Sequence, residues 1–160
     1  MNEYTPNAKR YDPRMHSAEH ILNQTMVRMF NCGRAVSAHI EPKKSKCDYR
    51  IDRDLTPAEI AEIEQRVNEV IRADLPIRAV LKPRAEAAQE IDLTRLPADA
   101  GETVRIVTVG DYDACPCSGE HAASSGTIGS FRIISTDRQN GLLRIRFRIG
   151  DSPGEKGAAS

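Results

Sequence analysis

Two pairs of metal-binding side chains, far apart in the sequence, constrain most strongly how this chain can fold. His16 and His20 stand four residues apart in "MHSAEHIL", and Cys117 and His121 repeat that spacing in "DACPCSGEH". On a helix, residues four apart differ by about 40° in direction and about 6 Å in height, so both rings of the first pair can reach one ion. A fold that unites the pairs must bring the first helix against the segment containing Cys117.

Three imidazoles and one thiolate are the donors that tetrahedral zinc prefers, so we predict one zinc ion bound by all four side chains. The alternative is a coincidental group of core residues. Cys115 lies two residues before Cys117, and residues two apart on a strand point the same way, so Cys115 could replace it as the ligand. The remaining cysteines, Cys32 and Cys47, are expected to fill the core.

The length of 160 residues fits one compact domain, which we place at residues 12–150, with flexible segments at 1–11 and 151–160. No run of 18 apolar residues predicts a membrane span, and the first residues lack the apolar core of a signal peptide. We therefore expect a cytoplasmic protein that keeps its thiols reduced. A net charge of zero argues mildly against a dedicated nucleic-acid binder.

Basic residues nevertheless concentrate in two places. Lys43 and Lys44 lie in "EPKKSKCDYR", and Arg144, Arg146 and Arg148 alternate in "LLRIRFRIG", which places the three arginines on one strand face. Such residues can form a solvated sheet face or a shallow track for a phosphate backbone. These five are the candidates for RNA binding.

The pattern of secondary structure predicts an α+β fold, with helices packed on a mainly antiparallel sheet. A first helix is expected from residue 12 to about Asn31, and a second begins at the capping box formed by Thr56 and Glu59. The apolar, β-branched run "TVRIVTVG" favours a central strand. Asn140-Gly141 predicts the turn of a closing hairpin.

The glutamate in the opening stretch raises a different possibility. His-x-x-Glu-His is the inverted zincin motif, in which two histidines bind zinc and the glutamate, here Glu19, serves as the base of a peptidase. Such enzymes take a third, carboxylate ligand from a later helix, whereas the later partners here are Cys117 and His121. The chain is also short for that fold, so a peptidase is the less favoured interpretation.

A family resemblance is carried by longer stretches. "HSAEHIL" and "CSGEHAASSGTIGSFRI" closely resemble the HxxxH and CxxxH halves of the editing domain of alanyl-tRNA synthetases and of the free-standing AlaX proteins. "TIGSFRIIS" and "GLLRIRF" are similar to that family's glycine-containing loop and closing hairpin. The resemblance covers about residues 14–149 and is to the smallest, stand-alone form. The editing domain of threonyl-tRNA synthetases shares the four-ligand pattern and is the nearest rival.

The resemblance implies an editing-domain fold and hydrolysis of the ester that joins serine or glycine to tRNA specific for alanine. It implies zinc as the cofactor, the residues of the two pairs as its ligands, and the tRNA 3′ end as the partner. The alternatives are editing of mischarged threonine tRNA and a zinc-stabilised RNA-binding module without turnover.

The resemblance also implies where substrates are distinguished. Family members commonly have a threonine in the strand after the first helix, where this chain offers Ser37. Ser37 and His39 are expected to project from one strand face, and they are the candidates for recognising a serine hydroxyl. Glu19 is expected to be only a helix neighbour of His20 that can hydrogen-bond a ligand ring.

Overall fold

The computed structural model describes residues 12–90 and 102–150, so the predicted flexible segments 1–11 and 151–160 lie outside the described residues. The described part contains three α-helices, seven strands and a short 3-10 turn. The helices are α1 (Pro13–Phe30), α2 (Pro57–Ala73) and α3 (Arg84–Glu90). The strands are β1 (Ser37–His39), β2 (Ser45–Tyr49), β3 (Ile77–Pro83), β4 (Thr103–Val109), β5 (Asp113–Pro116), β6 (Phe131–Gln139) and β7 (Leu142–Ile149). None of these helices is long and apolar enough to cross a membrane.

The two long helices begin as the sequence predicts. Asp12 caps α1 because its carboxylate accepts a hydrogen bond from a backbone amide in the first turn. The helix ends at Phe30, and Asn31 then adopts a left-handed conformation with φ of 54°. Thr56 and Glu59 form both hydrogen bonds of the predicted capping box at the start of α2.

The strands form two antiparallel sheets where the sequence predicted one. The larger has the order β1-β2-β7-β6, and the smaller has the order β3-β4-β5. The apolar run in β4 is explained by burial on both faces. Val107 and Val109 belong to the main core, whereas Val104 and Ile106 pack against Ala87 of α3. The predicted α+β class, with helices on antiparallel sheet, is confirmed.

The predicted closing hairpin joins β6 to β7 through Asn140 and Gly141. Their φ angles are 54° and 81°, as a tight hairpin turn of this type requires. The inner face of β7 carries Leu143, Ile145 and Phe147 into the main core, which also holds the buried stripe of α1. That stripe consists of Met15, Ala18, Ile21, Leu22 and Met26. Residues beside it on α1 are therefore held in a rigid, largely buried position.

Candidate metal centre

Four side chains from distant parts of the chain meet beside the core. His16 and His20 come from α1, and Cys117 and His121 come from the loop after β5. Their ligand atoms all lie within 4.8 Å of one another. The Cys117 Sγ atom is 3.6 Å from His16 Nε2 and 3.5 Å from His121 Nε2. In an ideal tetrahedral zinc site, bonds of about 2.05 Å to nitrogen and 2.3 Å to sulfur separate these two atoms by about 3.6 Å. The predicted group can therefore hold a metal ion.

Hydrogen bonds fix two of the imidazole rings. The Nδ1 atom of His16 lies 3.1 Å from the Glu120 carbonyl oxygen. Because a carbonyl only accepts, Nδ1 carries the proton and Nε2 keeps its lone pair for a metal. The Nδ1 atom of His121 lies 3.0 Å from the Ser17 hydroxyl, which also accepts from the Ala122 amide at 2.9 Å. Both rings are thus oriented with Nε2 towards the cluster.

The third ring, that of His20, faces a buried carboxylate. Its Nδ1 atom is 3.7 Å from Asp113 Oδ2, which is long for a hydrogen bond but close for electrostatic attraction. Arg34 donates to both Asp113 oxygens, at 2.7 and 3.3 Å, and Gln24 donates at 2.8 Å. Burial alone would raise the pKa of Asp113, but His20, Arg34 and Gln24 lower it to about 2. The charged carboxylate leaves Nε2 of His20 as the nitrogen available to a metal.

The two neighbouring cysteines have different environments. Burial alone would raise the pKa of the Cys117 thiol, but hydrogen bonds from His121, His16 and His20 lower the pKa to about 3. Burial raises the pKa of Cys115 to about 12, and its thiol faces the Pro116 carbonyl oxygen at 3.3 Å. Of the two thiols, that of Cys117 lies in the group of four and is the one whose environment favours the thiolate form.

The loop that carries Cys117 is itself fixed by short contacts. Arg105 donates to the carbonyl oxygens of Cys117 and Gly119, at 2.7 and 2.9 Å, and the Gly119 amide donates to Cys117 Sγ at 3.4 Å. A Cβ atom at Gly119 would lie only 2.5 Å from His16 Cε1. Glycine is therefore required here for the loop to approach the ring.

A Gly119→Ala substitution should weaken metal binding because the added methyl group must displace the His16 ring. We expect zinc affinity to fall at least about 10-fold, which is the effect of removing a hydrogen-bond partner from a metal-binding side chain. Competition with a chromogenic chelator would measure this, with Ser118→Ala as the matched control in an exposed neighbouring residue. Equal affinities in the two variants would contradict the steric argument.

Glu19 lies beside the cluster, but it does not make the predicted hydrogen bond to a ligand ring. Its Oε1 atom is 3.8 Å from His16 Nε2 and 3.9 Å from His20 Nε2. Its Oε2 atom accepts a hydrogen bond of 2.6 Å from Asn23, one helical turn further on. Asn23 in turn accepts from the Tyr49 hydroxyl at 2.7 Å. The spacing of four residues between Glu19 and Asn23 was the one feature of the sequence that could have indicated this pair.

A cavity of about 800 Å³ opens beside the cluster. Its wall includes His16, Glu19 and His20, but neither ligand from the loop, so the cavity approaches the cluster from the side of α1. Ser37 also lines the cavity, whereas His39 does not. The predicted discrimination residues therefore differ in their access to this space.

The Ser37 side chain has a defined partner on the neighbouring strand. Its hydroxyl donates to Asp48 at 3.1 Å, and Arg144 donates to both oxygens of the same carboxylate at 2.8 and 3.0 Å. Bonds from Arg144 and Ser37 outweigh burial and lower the pKa of Asp48. One of the candidate RNA-binding arginines is therefore already paired within the protein.

The other basic candidates differ in their partners. Arg146 pairs with Asp137, and Arg148 is exposed. Lys43 and Lys44 are exposed and line a second cavity of about 540 Å³. Arg146 and Lys46 border the same space, so the lysine segment and the middle arginine of the row form one basic surface.

The sequence of this chain is similar to parts of aminoacyl-tRNA synthetases. Residues 104–146 match the family model described as the threonyl and alanyl tRNA synthetase second additional domain. An alanine–tRNA ligase of Caldivirga maquilingensis is 35% identical over 147 residues, which cover 86% of this chain and 16% of the ligase. One of Salinispora tropica is 30% identical over 150 residues, covering 92% of this chain and 17% of the ligase. One of Fervidobacterium nodosum is 33% identical over 139 residues. The chain thus spans about a sixth of the length of these relatives.

Proposed function

Because this chain is an editing-domain-like relative of alanine–tRNA ligases, we propose that it hydrolyses aminoacyl-tRNA. The substrate we infer is serine or glycine joined to tRNA specific for alanine. The observation that carries the proposal is the cluster of three histidines and one cysteine, of which His16 and His20 line a cavity of about 800 Å³. Cavities of roughly 300–1,000 Å³ suit small molecules, so an aminoacyl-adenosine end can be accommodated.

The cofactor we propose is one zinc ion, held by His16, His20, Cys117 and His121. The donor set supports it, since nitrogen and sulfur atoms in a group of four are typical of zinc. When bound, zinc supplies Lewis acidity for a carbonyl or water oxygen. The protein's own part is to hold the ligand rings in one orientation, through the bonds from His16 and His121 described above.

Ser37 is our candidate for distinguishing serine from alanine. Because its hydroxyl donates to Asp48, its oxygen keeps lone pairs that can accept a hydrogen bond from a substrate hydroxyl. An alanine ester would leave that acceptor unpaired, which is how a polar site rejects an analogue without a hydroxyl. His39, on the same strand face, is the second candidate.

A Ser37→Ala variant should therefore lose activity on seryl-tRNA while glycyl-tRNA hydrolysis changes little, because glycine has no hydroxyl to lose a partner. One lost hydrogen bond of about 1 kcal/mol corresponds to roughly 5-fold in kcat/KM. Paired rate measurements on the two substrates test this. An equal loss of activity on both substrates would show that Ser37 only stabilises the structure of β1 and does not contact the substrate hydroxyl.

A deacylation assay tests the proposed function itself. Serine, glycine and alanine esters of tRNA specific for alanine are compared, with a seryl ester of threonine tRNA alongside. The expected result is rapid release of serine and glycine from the first tRNA and slow release of alanine. Preferred hydrolysis of the threonine tRNA would assign the alternative substrate. Binding without release would identify an RNA-binding module without turnover.

Binding of tRNA is expected to weaken as salt rises, because phosphate contacts release counterions. Lys43 and Lys44 are the best-placed of our candidates, since Arg144 and Arg146 have carboxylate partners. Changing both lysines to glutamine should make the negative slope of log affinity against log salt shallower by roughly 1.5. Arg144→Gln should change that slope less. If Arg144→Gln changes the slope more than the two lysine substitutions do, the phosphate backbone is bound by the row of Arg144, Arg146 and Arg148 instead.

A further inference from the structure

The end of the cavity beside the four-residue cluster is lined by one carboxylate side chain. Glu19 is the only carboxylate among the lining residues in the part of the chain that the structure describes. Its side chain is 12% exposed, so the charge is largely shielded from solvent. Arg34 and Arg50 also line the cavity, but Arg34 is already paired with Asp113.

A chain of buried polar groups holds this carboxylate in one orientation. Tyr49 is fully buried and donates to the Asn23 side chain, which is 3% exposed. Asn23 then donates to Glu19 Oε2 at 2.6 Å. The other oxygen, Oε1, is turned towards His16 and His20 at 3.8 and 3.9 Å. Both distances exceed a hydrogen bond, so Oε1 keeps its lone pairs for a donor arriving from the cavity.

We propose that Glu19 binds the α-ammonium group of the aminoacyl ester, and this proposal rests on the proposed function. In such an ester the ammonium is attached to the carbon next to the reacting carbonyl. A substrate that brings its carbonyl to the cluster from the α1 side therefore brings the ammonium beside Glu19 Oε1. This contact would make the site selective for α-amino esters over other esters of the same ribose.

Electrostatics supports a cation-binding role. A zinc ion with one thiolate ligand has a net positive charge, which repels an ammonium group in a shielded site. A carboxylate at the mouth of the cluster offsets that repulsion and supplies a charge-assisted acceptor. Hydrogen bonds to charged groups correspond to about 10–100-fold in affinity. Glu19 is therefore expected to act on substrate binding.

Binding of two amide-linked adenosine analogues tests the proposal without turnover. One is 3′-(L-serylamino)-3′-deoxyadenosine, and the other is its 3-hydroxypropanoyl counterpart, which lacks only the amino group. Calorimetry on the zinc-loaded wild type should show about 10–100-fold tighter binding of the analogue with the amine. Glu19→Gln should lose most of that preference. The exposed Glu69→Gln on α2 is the matched control and should keep it.

Several results would overturn the proposal. Equal binding of both analogues by the wild type would show that the amine is not recognised. A parallel loss of both in Glu19→Gln would assign Glu19 a general structural role, and loss of zinc from that variant would make it a metal ligand. Steady-state kinetics of Glu19→Gln distinguish substrate binding from general-base catalysis. The proposal predicts that this variant has a raised KM and a kcat within a few-fold of the wild type. A collapse of kcat alone would make Glu19 a base. Failure to deacylate seryl-tRNA in the wild type, with the amine preference intact, would instead contradict the proposed function.

Discussion

Cys117→Ala is expected to lose the metal and nearly all hydrolysis, whereas Cys115→Ala keeps both. The reason is that Cys117 Sγ lies within 3.6 Å of two ligand nitrogens, while the Cys115 thiol lies outside the group. Removing a hydrogen-bond partner of a metal-binding side chain costs roughly 10–100-fold in metal affinity, so removing the metal-binding side chain itself should cost more. Elemental analysis after dialysis should fall from one zinc per chain to almost none.

The two cysteines form a matched pair of variants, since both are half-buried residues that lie two positions apart in one segment. Circular dichroism of both variants would show whether the fold survives. Full zinc retention in Cys117→Ala together with loss in Cys115→Ala would transfer the ligand role to Cys115. Full retention in both would contradict a thiolate ligand altogether.

Asp113→Asn is expected to produce the largest loss of stability among the substitutions considered. Asp113 has a fully buried side chain, and its removal leaves the Arg34 guanidinium without its ion-pair partner. Breaking a fully buried pair typically costs about 3–5 kcal/mol in the free energy of unfolding, and the 22% exposure of the Arg34 side chain reduces this cost. Zinc affinity should also fall about 10–100-fold because His20 loses the carboxylate that orients it. Urea unfolding measures the loss, and Asp137→Asn is the control, because Asp137 is a partly exposed ion-pair partner of Arg146.

The pH dependence of stability gives a second measurement of the same contact. The folded pKa of Asp113 is lowered to about 2, whereas the unfolded value is about 3.9. A lowered pKa stabilises the fold above the unfolded value, and this contribution is lost as pH falls from about 4 towards 2. Metal-free wild type should therefore lose stability more steeply in this window than metal-free Asp113→Asn. Parallel curves for the two proteins would contradict a charged, stabilising Asp113.

Local features of the chain were predictable because they depend on neighbouring residues. The Asp12 cap, the capping box at Thr56 and the turn at Asn140 each rest on contacts within a few positions, and all three are confirmed. The grouping of His16 with Cys117 was also predictable, since residues that could share a metal must lie close together. These features specify where the two long helices begin, where the closing hairpin turns, and that α1 lies against the segment containing Cys117.

Features that depend on packing between distant segments could not be predicted. The second sheet depends on β3 and β4 pairing with each other rather than with the larger sheet, and its third strand, β5, is only four residues long, too short for periodicity to indicate it. The same strand delivers Asp113 to His20 and Arg34, a contact between segments that are far apart in sequence. The orientation of Glu19 depends on Tyr49 through Asn23, and a side chain on β2 has no sequence relation to one on α1.

We propose that the four-ligand cluster holds zinc and that this centre supports hydrolysis of mischarged tRNA. The most direct measurement titrates metal-free protein with zinc while serine release from seryl-tRNA specific for alanine is followed. We expect activity to rise linearly up to one zinc per chain, and Cys117→Ala to stay inactive throughout. A full rate in metal-free protein, or no release at any zinc concentration, would contradict this proposal.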